Sequence, residues 1–142
     1  MFYWGKNEFT FNVPVTIQGN TINDFVVETG TEPMGSNGTW YWCKWKSGLI
    51  ECWGKRNFGN VGFSTSYGSL YRSETFTQSL PYIFSNTPEY ISIEPMSGSG
   101  GTWVLRGLDT SASKNVVGGF ALCRPNNTSL SQVYLGFYVR GR

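Results

Sequence analysis

Enzyme chemistry needs nucleophiles, titratable groups or metal ligands at workable spacing, and this sequence holds few of them. It has three cysteines, Cys43, Cys52 and Cys123, and no histidine in 142 residues. The missing histidine excludes a Ser-His-Asp triad, a Cys-His pair and any histidine metal ligand. Zinc sites draw four ligands from close Cys-x-x-Cys or His pairs, whereas eight residues separate Cys43 from Cys52. No metal site and no cofactor are expected. Glycoside cleavage needs two carboxylates about 5–9.5 Å apart across the scissile bond. Glu89, Glu94 and Asp109 are the candidates in the loop-rich half, but Glu89 and Glu94 are five residues apart and would fall on opposite faces of a single strand. Nothing fixes a pair, so no catalytic residue is assigned.

Sugar binding asks for less: exposed aromatic rings to stack on apolar sugar faces and a few polar groups to fix orientation. Trp103 follows the Gly/Ser loop Ser97-Gly98-Ser99-Gly100-Gly101 and precedes Arg106 and Asp109. It is the leading stacking candidate, with Tyr82 and Tyr90, and then Tyr67 and Tyr71, behind it. The competing role for each ring is packing in a core or a subunit interface.

The elements that must position these residues read as strands. The chain has 18 glycines and 17% aromatics, and strand-like runs recur between turn residues at short spacing. That is the pattern of a sandwich or barrel. Residues 8–20 alternate Phe9, Phe11, Val13, Val15 and Ile17 with other residues, a half-buried strand with Pro14 marking an edge or break. Residues 24–29 form a strand, 30–39 a loop, and 70–77, 80–84, 90–95, 103–108 and 119–124 further strands. In the last strand Val133, Leu135, Phe137 and Val139 share one face and Tyr134, Tyr138 and Arg140 the other. The net charge of +2 gives no electrostatic argument for nucleic acid or a membrane surface. The chain shows no apolar run long enough for a transmembrane helix, and no basic region followed by an apolar stretch at its start.

The segment WYWCKWKSGLIECWGK, residues 40–55, concentrates four of the six tryptophans and two of the three cysteines. Ser47-Gly48 is a turn signal between its apolar halves. A two-residue loop there sets Trp45 against Ile50, Lys44 against Glu51, Cys43 against Cys52 and Trp42 against Trp53. One face then carries Tyr41, Cys43, Trp45, Ile50 and Cys52, wholly apolar and facing the core, with Trp42 and Trp53 on the other. A three-residue loop instead places Glu51 beside Cys43 and Trp45. Since a one-residue slip flips every side chain, the clean separation favours the two-residue loop. Directly opposed cysteines leave a disulfide open. The odd third cysteine, and the reduced thiols of a chain assembled in the cytosol, favour buried free thiols.

This hairpin, Tyr41-x-x-Lys44-Trp45-x-Ser47-Gly48-x-x-Glu51-Cys52-Trp53-Gly54, resembles a signature near the carboxy-terminal domain of tail-fibre and minor structural proteins of tailed bacteriophages and prophages of Gram-positive bacteria. Asp24-Phe25-Val26-Val27-Glu28-Thr29-Gly30, Leu80-Pro81-Tyr82-Ile83-Phe84 and the closing Tyr138-Val139-Arg140-Gly141-Arg142 are similar to stretches of the same group. Cys43 stands where the group usually carries a basic residue. The resemblance implies a virion component at the tail tip, assembled in the bacterial cytoplasm. It also implies an all-β distal domain, a homotrimer joined to the rest of the fibre, and a host-cell surface glycan or protein as receptor. It carries over no binding residue.

The expected architecture is all-β: an antiparallel β-sandwich or jelly-roll-like head over residues 24–142, after a short strand or neck segment over 1–23. The expected function is non-catalytic receptor binding. The alternatives are a carbohydrate-active enzyme domain or its accessory binding module, and a secreted bacterial adhesin or lectin.

Overall fold

The computed structural model describes residues 24–35, 37–98 and 100–142 in full, and among the first 23 residues only the backbone of four short strands. Every regular element among the described residues is a strand. The four short ones are β1 (Phe2–Trp4), β2 (Phe9–Phe11), β3 (Thr16–Ile17) and β4 (Asn20–Thr21), paired β1 to β2 and β3 to β4. Phe9–Phe11 and Thr16–Ile17 thus fall in two separate pairs rather than one continuous strand across residues 8–20; residues 12–15 lie outside the described residues.

The body begins with β5 (Val26–Pro33), β6 (Gly38–Trp45) and β7 (Ile50–Asn57), a meander of three eight-residue strands. Then come β8 (Thr65–Tyr67), β9 (Leu70–Arg72), β10 (Tyr90–Pro95), β11 (Trp103–Arg106), β12 (Phe120–Arg124) and β13 (Tyr134–Gly141). They form two antiparallel sheets, β10-β13-β7-β6-β5 and β11-β12-β9-β8. The inner faces share one core, to which the first sheet gives Trp40, Cys52, Leu135, Phe137 and Val139, and the second Phe120 and Leu122. This is the expected antiparallel sandwich. The alternation in the last strand holds as read: Val133, Leu135, Phe137 and Val139 are buried, while Tyr134 and Tyr138 are half-buried and Arg140 is exposed.

Several local expectations change. The strand expected to end at Thr29 runs on to Pro33, shortening the loop before β6. Residues 80–84 are not a strand: Leu80 and Phe84 plug the core while Tyr82, 86% exposed, projects from a turn.

The hairpin register also differs. Its loop is Lys46-Ser47-Gly48, closed by the Trp45 N–H donating to the Leu49 carbonyl at 2.8 Å. Gly48 has φ +86°, the left-handed third position of a three-residue loop, a conformation for which glycine is the default residue. Ser47 donates its N–H and hydroxyl to Asp24 at 3.0 and 2.8 Å, fixing the turn from the start of β5. Consequently Lys44 pairs with Ile50, Cys43 with Glu51, Trp42 with Cys52 and Tyr41 with Trp53. Every side chain of one arm shifts relative to the other, as a one-residue slip requires. Cys43 and Cys52 therefore lie on opposite faces and are both free thiols, as is Cys123. Trp45 is half-buried on the outer face rather than in the core, and Trp42, expected on the other face, packs against the core alongside the buried Trp40.

Candidate functional site

The outer face of the five-stranded sheet is built from the residues that alternate with the core. Register aligns them in rows across the strands. One row reads Thr31, Tyr41, Trp53, Tyr138, Ser92 from β5 to β10. The next, toward the Lys55 side, reads Pro33, Thr39, Lys55, Gly136, Glu94. On the opposite side the row is Thr29, Cys43, Glu51, Arg140, Tyr90. Adjacent strands lie about 5 Å apart, so Tyr41, Trp53 and Tyr138 form a stepped aromatic file across three strands.

Beside that file runs a groove of about 460 Å³. At its base is Gly136, whose missing side chain lets the Met96 thioether settle over the strand. Lys55 and Glu94 flank Gly136, and Ser92 and the three rings complete the walls. Tyr41 and Trp53 stay 49% and 45% exposed although large aromatics are normally covered. Lys55 sits 5.2 Å from the Tyr134 ring centroid, and Ser92 donates its hydroxyl to Glu94 at 2.9 Å. The arrangement offers flat apolar platforms beside one carboxylate, one ammonium and one hydroxyl.

The neighbouring row anchors the face. Glu51 accepts hydrogen bonds from the Tyr138 hydroxyl at 2.5 Å and the Trp45 indole N–H at 2.8 Å. This explains why a carboxylate is tolerated beside Cys43 and Trp45: it is satisfied by partners on the two strands that flank its own. The Tyr138 bond, first among the causes, holds the Glu51 carboxyl below the ordinary range. The same bond, with burial and the carboxylate charge, pushes Tyr138 up to about 12. A depressed carboxylate stabilises the fold above its unfolded value near 4.5 and loses that contribution as pH falls through its folded value. A raised tyrosine contributes fully below 10 and loses its share as pH rises through about 12. Tyr138→Phe is accordingly expected to lower stability at pH 7 by about 1 kcal/mol, the small end for a hydrogen bond to a charged group because the site is half-exposed. It should also flatten the loss of stability below pH 4.5. Urea midpoints measured across pH read both; an unchanged acid limb would rule out this role for the pair.

The three cysteines are buried free thiols. Burial pushes Cys52 up to about 12, and burial followed by the Glu51 charge raises Cys43. Cys123 is raised by burial as well. Thiols in that state are poor nucleophiles. Among the described residues no group of three or more Cys, Asp or Glu side chains could hold a metal ion.

The residues named from sequence are dispersed. Arg106 and Asp109 come together at a second, smaller pocket of about 190 Å³ beside Gly118 and Gly119. There both are committed: Arg106 donates to the Ile91 and Val117 carbonyls, and Asp109 accepts from Thr75 at 2.7 Å. Trp103 is 54% exposed at the far end of β11 and does not line that pocket. Tyr82 stands alone on its turn. Tyr90 belongs to the outer face described above, its ring 6.2 Å from that of Tyr138. Of the carboxylates, Glu94 lines the groove and Glu89 precedes β10, so the two do not share one strand. Sequence reasoning passed over Tyr41, Trp53, Lys55 and Gly136 as site residues. The available signal was a glycine inside the last strand between outward-facing Tyr134 and Tyr138.

Compared with protein-family models, with curated proteins and with solved structures, the chain matches none.

Proposed function

We propose that this is a non-catalytic receptor-binding domain at the distal end of a bacteriophage tail fibre, with a cell-surface glycan as receptor and the outer-face groove as its binding site. The observation that carries the reading is the file of three aromatic side chains on adjacent strands, beside a trough with Gly136 at its base. Solvent-facing aromatic platforms next to a few polar groups are what sugar recognition requires. Binding is favoured over hydrolysis because Glu94 is the one carboxylate among the groove's lining residues, and glycoside cleavage uses two. The fibre assignment draws on the resemblance of the Tyr41–Gly54 hairpin. A homotrimer suits the exposed Phe25, Val26 and Val27 at the start of β5, which among the described residues is an edge strand of the five-stranded sheet, since paired or covered edges are the rule in stable assemblies.

The decisive experiment is capture of candidate host cells by immobilised protein. Trp53→Ala is expected to reduce capture about tenfold or more while leaving the fold intact, because Trp53 lies on the outer face. Undiminished capture would remove the groove from the account. Light scattering after size-exclusion chromatography should show a trimer, and a stable monomer would count against the fibre assignment.

A further inference from the structure

The charges of the groove define which glycans it can hold. Lys55 and Glu94 lie on either side of Gly136 in one cross-strand row, so one ammonium and one carboxylate are spread over about 10 Å. A polyanion laid along the trough would meet Lys55 but also Glu94. The nearby arginines are engaged elsewhere: Arg140 adjoins the Glu51 carboxylate, and Arg56 donates to Gln78 at 2.7 Å. A cationic ligand would find a single carboxylate, already accepting from Ser92, and the Lys55 ammonium against it. A neutral sugar meets no such conflict. Its hydroxyls donate to Glu94 and accept from Lys55, and hydrogen bonds with one charged partner are the stronger kind. Its C–H face lies on the rings.

We infer that the groove takes a neutral glycan, a short run of uncharged hexose or N-acetylhexosamine units lying across the strands along Tyr41, Trp53 and Tyr138, and that it discriminates against anionic wall polymers. This rests on the receptor-binding reading above. The aromatic file spans two inter-strand steps, about 10 Å, which sets the run at about two or three sugar rings. Gly136 is the residue that lets Met96 lie low at the base of the trough. A Cβ there would come within 2.9 Å of the Met96 sulfur, a flexible group able to shift, so a larger residue fills the groove without breaking the sheet.

The test is a printed array of neutral and anionic oligosaccharides, including polyuronate and glycerol-phosphate oligomers, followed by titration of binders against Trp fluorescence at 50 and 500 mM NaCl. Neutral members should bind with affinities that change less than about twofold over that salt range, since no ion pair is formed with the ligand. Trp53→Ala should weaken them about tenfold or more, and Gly136→Val should abolish binding while NMR dispersion stays native. Trp103→Ala, outside the groove, should leave binding unchanged. Binding confined to anionic members, or a tenfold loss on adding salt, overturns the inference and leaves the groove as a receptor site. No array binding together with cell capture that still depends on Trp53 also overturns it, in favour of a protein receptor. Cell capture indifferent to Trp53→Ala brings down both readings.

Discussion

Gly119→Ala is expected to be among the most destabilising single-methyl additions in this protein, lowering stability by more than about 3 kcal/mol. Gly119 is the residue before β12, and the loop from Leu108 to Thr110 folds directly over it. Its N–H donates to the Thr110 carbonyl at 2.7 Å, and its own carbonyl accepts from the Leu108 N–H at 3.2 Å. A Cβ at this position would land on the Leu108 carbonyl oxygen, with the carbonyl carbon at 2.6 Å. These are backbone atoms and cannot rotate aside as a side chain can. Relief would require the loop to lift, breaking both hydrogen bonds and the Asp109 contact with Thr75. The consequence reaches the groove, because Phe120 follows directly and its ring packs at 5.9 Å against Phe137, the core neighbour of Gly136 and Tyr138. Gly107→Ala is the control. Gly107 has φ +74° but nothing within 4 Å of its added Cβ, so it should cost only the left-handed strain of about 1–2 kcal/mol. Urea denaturation of the two variants separates steric from conformational cost. Equal losses would mean the loop does not sit on Gly119 as described.

The sandwich itself was legible because its signals are local. Alternation in the last strand depends only on the period of two that any half-buried strand shows, and it placed Leu135, Phe137 and Val139 inside correctly. The hairpin was legible as a hairpin but not in register. Ser47-Gly48 announces a turn, yet a glycine can be the second of two loop residues or the third of three. The apolar-face criterion that chose between them failed on Glu51. Its presence on a face with Trp45 and Cys43 looked costly, and the side chain that offsets the cost, Tyr138, lies 87 residues away in sequence. A criterion blind to distant donors overestimates the penalty for a carboxylate.

The groove was illegible for a related reason. Its walls come from β6, β7, β13 and β10, and the strand order that sets them side by side is a non-local property. Trp53 was visible as outward-facing, but its neighbours Tyr41 and Tyr138 were not assigned to the same row. Trp103, Arg106 and Asp109 were grouped because they are close in sequence. In the fold β11 carries Trp103 and Arg106 to opposite ends of one strand, and Asp109, with φ 55°, shares a small pocket with Arg106 but not with Trp103 and is held by Thr75. Sequence proximity along an extended strand separates residues by about 3.3 Å per position, so it is a poor guide to convergence.

Trp40→Ala is the second large effect expected, about 3–5 kcal/mol of stability. That is a substantial part of the 5–15 kcal/mol typical of a domain. Trp40 is 1% exposed on the inner face of β6. Gly54, its direct partner on β7, leaves room for the Met34 thioether, whose sulfur would lie 2.5 Å from a Cβ there, and the indole meets Phe137 of the next strand edge-on at 5.8 Å. The indole N–H donates to the Ser79 carbonyl at 2.9 Å, tying the segment after β9 to the sheet. Alanine removes the ring, the aromatic contact and the donor together. Trp40→Phe keeps a ring and loses the donor, and should cost about 1 kcal/mol, because the Ser79 carbonyl keeps the Gln78 side-chain amide as a donor at 3.1 Å. The functional corollary follows from alternation. Tyr41, the adjacent residue, projects from the opposite face into the groove, so the burial of Trp40 fixes where that ring stands. The phenylalanine variant, folded at low temperature, should therefore retain ligand binding while its urea midpoint falls. The alanine variant should lose binding and structure in one transition. If Trp40→Ala unfolds at an unchanged midpoint, the core is not centred on the Trp40–Gly54–Phe137 row, and the rigid placement of Tyr41 must come from β5 instead.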